Sequence, residues 1–486
     1  ATTEIYTLSL HDALPISIGA GDSELYQNGG ALGNWNWLSF YLNAEYAFKN
    51  RYFVDVTMSN DASSRYGEKT ANIQIYPGVN AAWLISSEEW MKDASWNSYL
   101  KLRAGYNMSG NDDIGNYVSR RYYITQSFLN NNGLVRGGLK NQKIKPERVS
   151  KANVGIDAAF FNERLTLSVD GYYSQTKDLL IYSNAYSLSG FGSYVSNGGE
   201  LTNTGVEVAL GGRVLNKKSF AWDLNLTLAH NKNEVQKLDC GSIRSSIGEG
   251  TVLTSVGSPI GVFYGYKTNG VYSTTAEATA EGLGTMVGSV RKPFEGGDVR
   301  FVNQDNNNLI DENDMVQIGD PNPDLFGGLT SIMRYNRFTL TAQFNFSIGN
   351  DIYNYTRSQL ENMSSYTNQT KNVLTRWRTE GDKASMPRAT YGDPLGNSRF
   401  SDRWIEDGSY LKLKELSLSY DFNIKSAYIT GLTVFGTCEN LFTLTKYKGY
   451  DPEVVCSSSN NPLYQGVDAF TTPTSRTFYI GLKLGL

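Results

Sequence analysis

The chain has 486 residues, 32 of them Tyr, 21 Phe and 8 Trp, yet its mean hydropathy is only -0.38. That length exceeds what one soluble core usually supports, and a balance of 44 basic against 48 acidic residues, net -4, excludes a nucleic-acid partner. No apolar run approaches the ~18 residues of a membrane-spanning helix, and the three cysteines (Cys240, Cys438, Cys456) are too scattered for a disulfide framework or a metal knuckle.

Residues 1–17 begin A-T-T-E-I-Y-T-L-S-L-H-D-A-L-P-I, which resembles the translation of a short-read sequencing adapter. There is no basic n-region and no clean apolar h-region, so this is not a signal peptide. Functional reasoning is confined to residues 18–486, where His230 is the single histidine.

From there a period of two recurs along the whole chain, the mark of strands, because successive side chains leave opposite faces of the pleat. Leu38, Phe40, Leu42, Ala44, Tyr46 and Phe48 form the first such face. Tyr52, Val54, Val56 and Met58 follow, then Leu100, Leu102, Ala104 and Tyr106. Next come Val154, Ile156, Ala158 and Phe160, then Leu165, Leu167 and Val169, then Phe220, Trp222, Leu224, Leu226 and Leu228. Phe338, Leu340, Ala342, Phe344, Phe346 and Ile348 make the clearest row, and Phe478, Ile480, Leu482, Leu484 and Leu486 close the chain.

Strands are expected near 36–48, 51–60, 73–86, 97–108, 151–160, 163–175, 200–212, 218–232, 325–335, 337–349, 409–422, 431–443 and 475–486. Most are about ten residues or longer, against roughly 5–6 for globular strands, and about 9–11 tilted residues cross a bilayer. Their alternate face is rich in Asn, Thr, Ser, Gln and Asp, as in the lumen of a wide barrel. If the last strand descends, the connections sort by parity. Those at 49–51, 86–95, 160–163, 213–218, 334–337 and 421–430 face the periplasm and are short. Those at 61–72, 109–150, 176–199, 233–324, 350–408 and 444–474 face outward and nearly all are longer, the asymmetry of outer-membrane barrels. The expected fold is all-β: a transmembrane antiparallel β-barrel whose apolar rows meet outer-membrane lipid.

Several blocks resemble the SusC/RagA-like branch of TonB-dependent transporters: RYFVDVTMSNDASSRYGEK, NAAWLISSEEWM, YLKLRAGYNMSGNDDIGNY, NVGIDAAFFNERLTLSVDGYYSQTKDLL, GSPIGVFYGYKTNGVY, GDVRFVNQDNNNLIDENDMVQIGDPNPDLFGG, RWIEDGSYLKLKELSLSYDF and CENLFTLTKYKGYDPEV. They keep the family's order and cover essentially everything after residue 17. The resemblance implies a truncated barrel, strands ten to twenty-two of 22, without the plug domain and TonB box. It also implies import of oligosaccharides or peptides across the bacterial outer membrane, with a SusD-like surface lipoprotein and the TonB complex as partners. Leu486 stands where such barrels usually end in an aromatic residue.

Three constellations remain. Asn303, Asp305, Asn307, Asp311 and Asp314 occupy positions 1, 3, 5, 9 and 12 of an EF-hand-like loop, with Ile310 at the apolar position 8, so calcium is one reading. Asn308 stands where glycine is usual and Asp314 where a longer Glu is, and a polar Asx-rich turn is the alternative. Aromatic residues crowd the outer loops (Tyr182, Tyr186, Phe191, Tyr194; Tyr353, Tyr355, Tyr366; Tyr447, Tyr450, Tyr464) and suit either a glycan or peptide port or loop packing. No GxSxG, HExxH or P-loop is present and no carboxylate pair such as Glu406 with Asp407 sits in an acid/base motif, so an enzyme is not expected. Two rival functions stand beside the importer. One is a secreted all-β carbohydrate-binding protein or glycoside hydrolase, which would bury its alternating faces; the other is a passive porin.

Overall fold

The computed structural model describes residues 33–70, 73–91, 97–128, 131–424, 429–453 and 462–485. The adapter-like residues 1–17, Cys456 and Leu486 lie outside the described residues.

Thirteen strands form one antiparallel sheet in sequence order. They are β1 (Trp37–Phe48), β2 (Tyr52–Ser63), β3 (Gln74–Leu84), β4 (Asn97–Asn111), β5 (Glu147–Phe160), β6 (Leu165–Asn184), β7 (Ser193–Asn216), β8 (Phe220–Leu238), β9 (Leu325–Tyr335), β10 (Phe338–Ile348), β11 (Tyr410–Phe422), β12 (Gly431–Thr445) and β13 (Thr477–Gly485). Each pairs with the next, and no pairing joins β1 to β13 among the described residues, so both carry an open hydrogen-bonding edge. The expected strands are therefore all present. Short turns at one end use left-handed backbone: Lys49 and Asn50 (φ 51° and 52°) between β1 and β2, Asn336 (φ 53°) between β9 and β10. That geometry matches the right-handed twist of the strands it joins.

The hairpin of β6 and β7 runs well past the point where alternation stops, toward the long-loop end. β6 and β7 continue together to Asn184 and Ser193, past register shifts at Lys177/Leu179 and Leu179/Leu180, where Asp178 has φ 59°. The bulged residue breaks the period of two, which is why the pattern stops short while the hairpin goes on. A second shift separates Leu413 from Glu415 in β11, opposite Asn440 (φ 52°) in β12, and explains why the apolar row steps by three from Leu413 to Leu416.

Burial runs opposite to a soluble β protein. The apolar rows of the sheet stand open, with Ile480 84% and Leu482 71% exposed. Most of the largest fully buried side chains (Trp404, Tyr272, Tyr353, Phe263, Phe294, Phe301) belong instead to the long connections. A sandwich or propeller buries its strand faces, so the secreted all-β alternative fails.

Candidate functional site

The segments 233–324 and 350–408 are far longer than the ~12–15 residues beyond which structureless loops become uncommon, and they fold. Tyr272, Phe294, Val299, Phe301, Ile310 and Leu395 form one buried cluster. Val252, Phe263, Tyr353, Phe400, Trp404 and Val467 form another, which also draws in the connection between β12 and β13. The first is opened by a short helix, Thr275–Glu281, capped by Thr274, whose side chain accepts from the Glu277 N–H, and ended by Gly282 at φ 71°. The second is aromatic: Tyr353 and Phe400 meet edge to face at 4.5 Å, an arrangement that adds about 0.5–1.5 kcal/mol beyond area burial. The product is a folded cap on the long-loop end of the sheet.

The cap is held to the wall of the sheet through Lys412 of β11, whose side chain is almost wholly buried. Its ammonium donates to Glu453 Oε2 at 2.7 Å, Asp451 Oδ2 at 3.0 Å and Thr474 Oγ1 at 2.8 Å. Lys414 adds a bond to the same Glu453 oxygen at 3.0 Å. Burial works against ionisation of Asp451 and Glu453. The bonds from Thr474 and Lys412 to Asp451, and from Lys412 and Lys414 to Glu453, outweigh it and hold both carboxyls below their ordinary values.

The polar face of the sheet is cross-linked rather than loose. Arg103 grips Asp157 through two bonds (2.7 and 2.8 Å) and reaches Asp170 at 2.8 Å, while Ser168 donates to Asp157 at 2.7 Å. Asn107 donates to Asn80, and Asn80 to Asp55. The Tyr172 hydroxyl donates to Asn231 across Gly205, where an added Cβ would meet the phenol at 2.5 Å, so only glycine lets the ring lie along the wall. Lys151 sits 4.4 Å from the centre of that ring. Arg213 and Arg334 both bind Asp223. Such a wall presents fixed charges and amides at set positions.

The loop containing Asn303, Asp305, Asn307, Asp311 and Asp314 closes on itself. Asp314 is fully buried, and its two oxygens accept the N–H groups of Gln304 (2.6 Å) and Asp311 (2.9 Å). Asp305, Asn307 and Asp311 each accept the N–H two residues on, and Asn303 the one three on. Asn306 and Asn308 take φ 60° and 61°, which Asn tolerates. These are the bonds of an Asx-rich turn. Among the described residues no group of three or more His, Cys, Asp or Glu is placed to hold a metal.

The outer aromatic residues divide. Tyr353 and Tyr447 are buried in the cap. The Tyr447 hydroxyl donates to Asp468 at 2.6 Å, and burial, reinforced by that carboxylate, pushes its pKa well above the phenol range. Tyr182, Tyr186, Tyr366 and Tyr450 are exposed. The folded cap itself was not anticipated. Its sequence signals were the length of the two segments and the capped T-T-A-E run at Thr274–Glu277.

The TonB dependent receptor-like β-barrel family matches residues 10–441. The TonB-dependent receptor P3 of Formosa agariphila is 31% identical over 483 residues, covering 96% of this chain and 47% of that protein. The TonB-dependent receptor SusC of Bacteroides thetaiotaomicron is 29% identical over 463 residues, covering 92% and 43%. The solved RagAB peptide transporter superposes with a TM-score of 0.80 at 24% identity, over 98% of this chain and 50% of that one. The RagAB peptide importer in its open-open state gives 0.75 at 25% identity, over 97% and 50%. The chain thus spans about half the length of the relatives it matches. With its open-edged sheet of outward apolar rows, polar inner wall and folded cap, the chain belongs to the TonB-dependent receptor β-barrel family, in its SusC/RagA-like branch, a family of outer-membrane transporters rather than enzymes.

Proposed function

We propose that this chain forms wall and cap of an importer that carries oligosaccharides or peptides across the outer membrane, driven through the TonB complex and covered by a SusD-like surface lipoprotein. The observation that carries the reading is the pairing of a cross-linked polar wall with a folded cap tied to it through Lys412. A sieve needs only a wide polar lumen, whereas a cap with its own aromatic core restricts entry. The rows Phe338, Leu340, Phe344, Phe346, Ile348 and Phe478, Ile480, Leu482, Leu484 then face lipid, and the short turns face the periplasm. The structural likeness to RagAB, a peptide transporter, supports the peptide class.

The test is uptake of labelled oligosaccharides and peptides by cells carrying the full-length transporter, with and without a protonophore. Energy-dependent uptake of one class, lost on deletion of the gene, is expected. Uptake that follows solute size alone and ignores the protonophore returns the passive porin.

A further inference from the structure

Tyr366 and Tyr391 are 92% and 72% exposed, yet their rings are held together, centroids 5.0 Å apart at an interplanar angle of 32°. Large aromatic side chains are normally drawn into cores, and a paired set left in water calls for a reason. Neither hydroxyl bonds to a described residue.

The stems beneath them are rigid. Glu361, buried, accepts from Thr370 Oγ1 at 2.8 Å and from Asn372 at 3.3 Å, which closes the loop carrying Tyr366 at its base. The Gly392 N–H donates to the Ser364 carbonyl at 2.8 Å and locks the two tyrosine-bearing segments to each other. Met363, Val373 and Met386 are buried as a cluster below. The backbone is left-handed at Met363 (φ 53°), Gly392 (φ 71°) and Asp393 (φ 43°). Left-handed backbone at an unbranched apolar residue such as Met363 is rare and concentrates where a structure holds something for a ligand.

Around Tyr366 the sequence Ser364-Ser-Tyr-Thr-Asn-Gln-Thr370 carries no charge, and residues 365–369 are all exposed. Hydroxyls and amides beside a free aromatic face are the groups that meet a sugar: the ring face takes the apolar C–H side of a pyranose, and the neighbours bond its hydroxyls. Two rings and six small polar residues fall well short of the ~800 Å² per partner of a stable protein interface. We infer that Tyr366 and Tyr391 form a surface platform for a neutral oligosaccharide, a capture site on the cap separate from the lumen. This deepens the import reading and rests on it for the choice of a glycan.

Binding is separated from uptake by working with outer-membrane vesicles bearing the full-length transporter, at 4 °C and with a protonophore present. The probes are fluorescently labelled maltohexaose, laminarihexaose and mannohexaose, with a labelled tetrapeptide pool in parallel. At least one hexasaccharide should bind. Tyr366→Ala and Tyr391→Ala should each weaken it by about tenfold, while Tyr366→Trp, which keeps the face, should stay within about threefold. Protease fragmentation of the cap should be unchanged in all three, since both rings lie in solvent. The assignment is overturned if no hexasaccharide binds below about 10 mM, if the double alanine variant binds as the wild type does, or if only the peptides depend on the two rings. Loss of energised uptake with platform binding intact would count against the import reading alone.

Discussion

Asp298 and Arg388, ninety residues apart, are joined by two parallel bonds, Nε to Oδ1 at 2.9 Å and Nη2 to Oδ2 at 3.1 Å. Asp298 is fully buried, and its remaining capacity is taken by Asn397 Nδ2 at 2.9 Å and the Glu295 N–H at 2.8 Å. One carboxylate thus ties the segment between β8 and β9 to the segment between β10 and β11. Removing one partner of a buried pair costs about 3–5 kcal/mol, because the other charge is left without compensation. Arg388 keeps its ion pair with Glu295 at 3.0 Å and some contact with solvent, so Asp298→Ala should cost toward the lower end, about 3 kcal/mol. Limited proteolysis should then cut residues 239–324 and 350–408 while the strands stay protected. Unchanged protection of the cap would show that the two segments fold independently.

Phe344 and Asn345 are adjacent in β10 and leave opposite faces, opposite Leu329 and Gly328 of β9. With Phe344 toward lipid, Arg at that position should cost roughly 2–4 kcal/mol near the midplane, and Arg at Asn345 little. Folding titrations of the full-length protein in micelles report the ordering. If Asn345→Arg proved the more damaging change, the assignment of faces would be inverted.

The sheet was legible because a pleated strand between lipid and water has no other way to arrange its side chains: Phe338 to Ile348 alternate without a break, and β10 has those bounds. Bulges hide in such a pattern, since one extra residue at Asp178 or near Lys414 shifts every later side chain to the other face. The cap was illegible for a different reason. Tyr353, Phe263 and Trp404 converge from three separated stretches, and nothing local at Tyr353 distinguishes a buried ring from an exposed one such as Tyr366. Gly392, which locks Tyr366 beside Tyr391, has no period to announce it.

The turn at 303–314 gives a direct test of its two readings. Because Asp314 already accepts two backbone N–H groups, Asp314→Ala should cost about 2–3 kcal/mol with or without metal, from losing bonds to a charged acceptor. Wild-type melting should be the same in EDTA and in millimolar calcium. A rise in melting temperature with calcium that Asp305→Ala and Asp311→Ala abolish would establish an ion site instead, with the Kd of about 10⁻⁴–10⁻³ M usual for extracellular modules.

The strap across Lys412 should respond to acid and to nothing milder. Asp451 and Glu453 have folded-state values held below their ordinary 3.8 and 4.5. The folded protein therefore binds fewer protons than the unfolded chain in that range, and the stabilisation is present in full above the ordinary values. It is lost as pH falls through the depressed folded values, so the strap should be equally docked at about pH 7 and 5 and should loosen only below about pH 4. Cleavage of the segment between β12 and β13 by a protease active in acid, compared with cleavage of the rest of the cap, measures the release. Lys412→Met removes the shared cation and leaves two carboxylates facing each other, so it should free the strap at neutral pH. In that variant acid should partly restore docking, because protonating one carboxyl relieves the repulsion. A strap in Lys412→Met that stays resistant at pH 7 would show that Lys414, together with the backbone bonds that Gly466 and Asp468 make to Tyr353 and Thr356, holds it without Lys412.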